Sequence, residues 1–584
     1  MKLLNLNKYF YLFIFILILI NPLSAEDAVD IWKKKKAEEK KQDIPLGSQI
    51  DENNKETKIK FDKVDSSLGN IKITEDFEKN ETVKPIYGIF DPEENNFSLN
   101  MWSETDGNEI KNAFKRINNI NLSNSAEEIF VNTIMTYSYL PAKNISEKEF
   151  LNLKIDWLIE NQKDSILEKF LIKNNDFSRK KKIIQYLVDK NLAKANLSEG
   201  CSKAEFIGKD IKDSYLEKFK IYCLIFNNKK GEAQLLFDIL KEQKLSNKIF
   251  NNRINFLLGI TDKAETKIQD NNLLNFYLAS ITIPNFSYEP SEKTNKYIWE
   301  YLNAANLVEI KDLEDKEKIR TFEIAANKNT LDKSKIFEIY KKIEFDLNTL
   351  IKAEETYQSL DSIESRALIY QKFLLSDNVD NKIKYLFLLK DLFKKDNLSN
   401  VFTKFMSDRL EEIKPSDIPS EFDDLVKKNI FSDEEYKLGK IKFDDKIFHK
   451  SKVLKFYTQP GASIQKSQKD LNNVLKKIKK NKKYFFSVKD LALLESLEMD
   501  GFNIPKEIDH KNISKQYDIP QGLMSLVKKR EIGLLALKFV EIIGEDEISD
   551  LDPESIYFIT NLLNEAKLIK FRKKVLIASL PLRE

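Results

Sequence analysis

The chain has 584 residues, and its 96 basic against 93 acidic side chains leave a formal charge of +3, so no global field recruits nucleic acid or an acidic substrate. Gly and Pro number only 14 each, a scarcity that argues against an all-β chain or a nucleotide fold, both of which spend glycine on turns and phosphate loops. Two Cys and two His in no ligand spacing argue against a zinc site, and no phosphate-loop or dinucleotide motif is present, so no cofactor is expected.

Residues 1–25 read as a secretory signal. Lys2 and Lys8 form a basic start, Tyr11 to Ile20 is an apolar run too short to span a bilayer comfortably, and Leu23-Ser24-Ala25 offers a cleavage site before Glu26. No Cys follows to accept a lipid. This predicts a periplasmic protein; the alternative is an inner-membrane anchor, uncleaved and extended back through Tyr9. Residues 26–94 read as a disordered or extended charged linker, opening with Ile31-Trp32 and the run Lys33-Lys34-Lys35-Lys36 and then rich in Asn, Asp, Glu and Lys. Such a run either makes weak contact with anionic lipid or a wall polymer or is a solvated linker.

From about residue 95 to 413 the texture is helical throughout. The spacing predicts helices over 108–117, 125–140, 163–173 and 181–192, with Ser146-Glu147-Lys148-Glu149 as a capping box ahead of another. Further amphipathic segments fall at 247–259, 270–282, 292–304, 314–326, 332–344, 347–375, 380–394 and 398–413, with short polar links. Helix pairs of this length joined by short links point to an all-α fold, an α-solenoid of divergent helical hairpins. No fixed repeat period holds, so a large irregular helical domain is the rival architecture.

Within this region Tyr215, Leu216, Phe219, Tyr222, Cys223 and Phe226 form one apolar stripe of a helix. Cys201 precedes it on a shorter apolar stretch. The midpoint between Cys201 and Cys223 is residue 212, beside the polar connection, so antiparallel helices bring the two sulfurs together. An exported chain makes a disulfide the expectation, with two buried thiols as the alternative.

Pro415 and Pro419 end the run, 414–462 forms an irregular connection, and a second helical block fills 463–584. In that block Lys476, Lys477, Lys479, Lys480, Lys482 and Lys483 precede Tyr484-Phe485-Phe486. Lysines followed by aromatics suit an anionic surface, but lysines closing a helix also offset its dipole.

Catalytic signatures are sparse. His449 and His510 are the only histidines; a Ser–His–acid triad is formally possible but lacks a nucleophile elbow. Gln521-Gly522-Leu523-Met524-Ser525 is similar to the Gly-Leu-Met-Gln motif of periplasmic lytic transglycosylases, with Glu495-Ser496 as the candidate acid upstream. The Gly- and Ser-rich loop of those enzymes is missing here.

Three stretches carry a wider resemblance: Gly88-Ile89-Phe90-Asp91-Pro92 with Ser98-Leu99-Asn100-Met101-Trp102, the hairpin with Tyr222-Cys223, and the closing helix pair. Through them residues 86–584 resemble a family of uncharacterised secreted helical proteins of alphaproteobacteria, some of which carry a misleading antifreeze-glycopeptide label. The resemblance implies a periplasmic, tetratricopeptide-like superhelix and supplies no catalytic residue. The sequence therefore predicts a non-enzymatic periplasmic scaffold that binds a protein or peptide. The alternatives are a cell-wall enzyme or its regulatory subunit, and a membrane-anchored structural protein of the envelope.

Overall fold

The computed structural model describes residues 85–583 apart from 209–211, 309–312, 431–439, 507 and 509. The signal expected at 1–25 and residues 26–84 of the linker expected over 26–94 lie outside the described residues. The rest is all-α in character, with 27 α-helices and two two-stranded pairings among the described residues.

The shortage of glycine shows in how helices end. Six of the three-residue links between helices share one geometry: Glu147–Glu160 to Asp164–Lys173, Lys180–Ala193 to Leu197–Lys203, Ser214–Phe226 to Lys230–Glu242, Val379–Lys395 to Ser399–Glu411, Gln521–Lys528 to Ile532–Ile543, and Pro553–Glu565 to Ile569–Ser579. The middle residue of each link is left-handed, with φ of 54–61° at Gln162, Ala195, Asn228, Asn397, Arg530 and Lys567. The next residue then donates its N–H to a carbonyl five positions back, at 2.8–3.0 Å in all six. This bond satisfies a carbonyl that the helix end leaves without a partner. A side chain in the left-handed region costs about 1–2 kcal/mol, which Asn tolerates best and the other four residues bear outright.

Helix starts follow the sequence more closely. Ser146 and Glu149 form the capping box, with the Ser146 N–H donating to the Glu149 carboxylate at 2.8 Å and the Glu149 N–H donating to Ser146 Oγ at 3.3 Å. Two expectations need correction. The helix expected over 125–140 ends at Met135, because the chain turns extended at Thr136 and Ser138–Tyr139 pairs with Ile86–Tyr87. Residues 86–90, expected within the linker, are thereby held on the helical body; Gly88 permits it, since a Cβ there would stand 2.4 Å from Tyr137 N. The segment expected as one helix over 347–375 breaks at 357–361. Asp361 caps a fresh helix, Ser362–Leu375, by accepting from Ile363 N and Glu364 N at 2.9 Å.

The buried apolar side chains form two cores. The smaller gathers residues between Trp299 and Val426 around Phe337, Tyr340 and Phe402, and encloses the ion pair of Glu323 with Arg366 at 2.8 Å. The larger takes residues from 89–302 and again from 448–580. The C-terminal block therefore shares its core with the first helices. Ile532–Ile543 packs on Gly107–Ile117 and Asn124–Met135. Gly533 N donates to Met101 O at 2.9 Å, and Arg116 forks onto Glu541 at 3.0 and 3.1 Å. Helix Lys180–Ala193 also touches Leu273–Thr282 and Lys296–Ala304, so contacts reach beyond neighbouring pairs.

Candidate functional site

The two cysteines meet as expected. Cys201 on Leu197–Lys203 and Cys223 on Ser214–Phe226 form a disulfide with a Cα separation of 5.4 Å, and both are buried. Asp213 starts the second helix by accepting from Tyr215 N and Leu216 N at 3.0 Å. The Tyr215 hydroxyl donates to the Asp189 carboxylate, and Tyr222 meets Tyr277 hydroxyl to hydroxyl at 3.0 Å. The bond ties helix Leu197–Lys203 to helix Ser214–Phe226.

The lysine run sits differently. Helix Ile464–Lys480 turns Leu471, Val474, Leu475 and Ile478 inward and its lysines outward. Its last turns form one wall of a groove of about 830 Å³. Leu475 and Ile478 lie on the floor, with Lys476 and Lys479 beside them. Tyr484 and Phe486 line it from the stretch after the helix, and Pro505, Ile508 and Ile513 line it from a separate stretch of the chain. The size falls in the range of small-ligand and peptide-segment sites, and an apolar floor with few polar groups is their usual lining. Of the six lysines, Lys476 and Lys479 line the groove, Lys477 is paired with Asp445 at 2.8 Å, and Lys480, Lys482 and Lys483 are exposed in the stretch beside it.

Residues around the groove are held firmly. The Tyr484 hydroxyl donates to Asp490 Oδ2 and accepts from Phe448 N, both at 2.9 Å. Phe486 packs edge-on against Tyr484 and Phe448. Phe485, between them, is 79% exposed. Burial, and then the nearby Asp490 carboxylate, push the Tyr484 phenol well above its ordinary range.

The histidines and the transglycosylase-like residues are engaged by neighbouring groups of the helical body. His449 Nδ1 lies 2.7 Å from Asp490 Oδ1 and 3.3 Å from Ser487 Oγ. A relay triad needs its serine and its acid on opposite ring nitrogens; here both crowd one. Ser487 and Asp490 are instead the capping box of Val488–Met499. Burial alone would raise the Asp490 carboxyl, but the bonds from His449 and from backbone N–H groups outweigh it and hold the carboxyl below the usual range. His510 Nε2 lies 3.1 Å from Glu498. Glu495 accepts from Tyr557 Oη at 3.1 Å and Asn561 Nδ2 at 2.9 Å, so both its oxygens are engaged by helix Pro553–Glu565. The Ser496 hydroxyl is buried and donates to Ala492 O at 2.6 Å. Residues 521–525 lie within helix Gln521–Lys528, where the Ser525 hydroxyl donates to Gly522 O.

Among the described residues no group of three or more His, Cys, Asp or Glu could hold a metal ion, and no helix is long and apolar enough to cross a membrane. Sequence reasoning singled out the lysines and Tyr484-Phe485-Phe486 but missed the second lining stretch. Pro505, Ile508 and Ile513 fit no helical period, and the recurrence of isoleucine at 504, 508 and 513 was the one available signal. Comparison with family models, with curated proteins and with solved structures finds no match, so the resemblance to secreted helical proteins rests on its short motifs alone.

Proposed function

We propose that the protein is a non-enzymatic periplasmic scaffold, an irregular solenoid of helix pairs whose groove at 472–516 holds a segment of a protein or peptide partner. The observation that carries this reading is the groove itself, with its apolar floor, lysine rim and rigid support from Tyr484, Phe448 and Asp490. The Cys201–Cys223 bond supports an oxidising compartment, where such bonds persist. Affinity purification from the native envelope after crosslinking tests the reading. A reproducible protein partner is the expected result, and a protein that crosslinks to nothing in its own envelope speaks against it. N-terminal sequencing separates the soluble form, starting at Glu26, from a membrane-anchored structural protein, starting at Met1.

A cell-wall enzyme, or a regulatory subunit of one, is the second reading. One observation favours it: the helix bearing Glu495 and the helix of residues 521–528 both pack against Pro553–Glu565. Digestion of purified sacculi, abolished by Glu495→Gln, would establish the enzyme; no digestion leaves the scaffold.

A further inference from the structure

We propose that the occupant of the groove is an extended, acidic segment of the partner in which Asp or Glu alternates with aliphatic or aromatic side chains. This rests on the scaffold reading above and adds the chemistry of the partner.

Charge favours an acidic occupant. Lys476, Lys480, Lys482 and Lys483 are exposed and make no ion pair among the described residues. Elsewhere on this block lysines find acids: Lys477 and Lys452 take Asp445, and Lys452 also reaches Asp470. Offsetting the helix C-terminus requires only about half an elementary charge. Four cations within eight residues, without an ion pair among the described residues, exceed that several-fold; Lys476 lines the groove itself, and Lys480, Lys482 and Lys483 stand along the chain between its lining residues Lys479, Asn481 and Tyr484. Complementarity then calls for an anion.

The lining of the groove separates a peptide from an anionic lipid. The floor at Leu475, Ile478 and Ile513 would accept either an acyl chain or apolar side chains. The walls also present amides at Asn472, Asn481 and Gln516. An amide both donates and accepts, which matches a peptide backbone offering N–H and C=O in alternation. A hydrocarbon chain would strip water from those amides and give nothing back. An extended strand, with side chains alternating between two faces, places apolar groups on the floor and carboxylates toward the lysines at once.

The test uses the full-length mature protein and fluorescence anisotropy. The probe is a fluorescein-labelled peptide of about eight residues, alternating Glu with Ile, Phe and Leu, long enough for an extended segment to cross the groove. A second peptide carries Lys in place of Glu, and phosphatidylglycerol vesicles form a third arm. The acidic peptide is expected to bind, with affinity falling as salt rises. The variant Lys476→Gln/Lys480→Gln/Lys482→Gln/Lys483→Gln should weaken it about tenfold or more, since each exposed pair contributes a factor of roughly 1.5 to 5. These lysines are surface groups, so far-UV circular dichroism should not change. Ile513→Asn should weaken both the acidic peptide and its salt-resistant component. An unchanged affinity in the quadruple variant, equal binding of both peptides, no binding of the acidic peptide, or competition by vesicles at equal charge each overturns the proposal. A crosslinked partner that binds this protein while the acidic peptide does not would remove the inference and leave the scaffold reading standing.

Discussion

Gly533→Ala probes the seat of the C-terminal block on the first helices. Gly533 lies in the first turn of Ile532–Ile543, with its N–H on Met101 O at 2.9 Å. A Cβ there would stand 2.5–2.7 Å from three atoms of the Trp102 indole. Trp102 is fully buried and packs edge-on against Phe150 at 5.6 Å, so the ring has nowhere to go and the helix must shift. Overpacking of this kind costs about 1–3 kcal/mol. Lengthening the bond to Met101 removes about 1 kcal/mol more. Ala also narrows the unfolded ensemble, which returns about 0.4–1 kcal/mol. The net is a loss of about 1–3 kcal/mol, the packing term deciding the sign. Gly231, on helix Lys230–Glu242, has nothing within 4 Å of its added Cβ, so there only the favourable term remains. Urea unfolding followed by far-UV circular dichroism should therefore show the midpoint falling for Gly533→Ala and rising slightly for Gly231→Ala. A rise in both would mean that Trp102 does not pack on this helix, and the shared core would be wrong.

Reducing the Cys201–Cys223 bond opens a loop of 22 residues and should cost about 3 kcal/mol locally on the chain-entropy estimate, while the remaining helices persist; free alkylation of both thiols in protein taken from the periplasm would show that no such brace exists. Ala195→Gly relieves a left-handed φ of 54° and should stabilise by about 1 kcal/mol, read as a higher urea midpoint; an unchanged midpoint would count against the link geometry. Burial pushes the Asp189 carboxyl up to about 7, against the bonds from Tyr215 and Gln185 that favour its ionised form. Its neutral form is thus the one the fold prefers, and this contribution is lost as pH rises from the ordinary carboxylate range through about 7. Asp189→Asn should gain stability relative to wild type between pH 5 and pH 8, and a difference independent of pH would contradict the assignment.

Much of the fold could be read from local chemistry. The Ser146–Glu149 capping box and the apolar stripe from Tyr215 to Phe226 are signals within one or two helical turns, and the cysteines mirror each other about their link. What escaped reading has no local signal. Gln162, Ala195, Arg530 and Lys567 are not turn-forming residues, yet each takes the left-handed position that glycine usually fills. The chain imposes that conformation through the helices it joins, which is why a common link exists without a common sequence. Asp361 is a good helix start that the surrounding periodicity obscured. The union of the two ends depends on partners such as Arg116 and Glu541, separated by 425 positions, which no pattern along the chain connects. The groove was legible by half: its lysines and aromatics form a run, whereas Pro505, Ile508 and Ile513 come from an irregular stretch that only packing brings to it.

Photo-crosslinking from inside the groove tests the scaffold reading most directly. A benzoylphenylalanine at Gln516, exposed on the groove wall, is irradiated in the native envelope beside a control at Lys244, exposed just past helix Lys230–Glu242 and outside the groove. A single protein adduct is expected from Gln516, lost in the quadruple lysine-to-glutamine variant, and none from Lys244. Equal adducts from both positions, or none from Gln516, would contradict the scaffold reading.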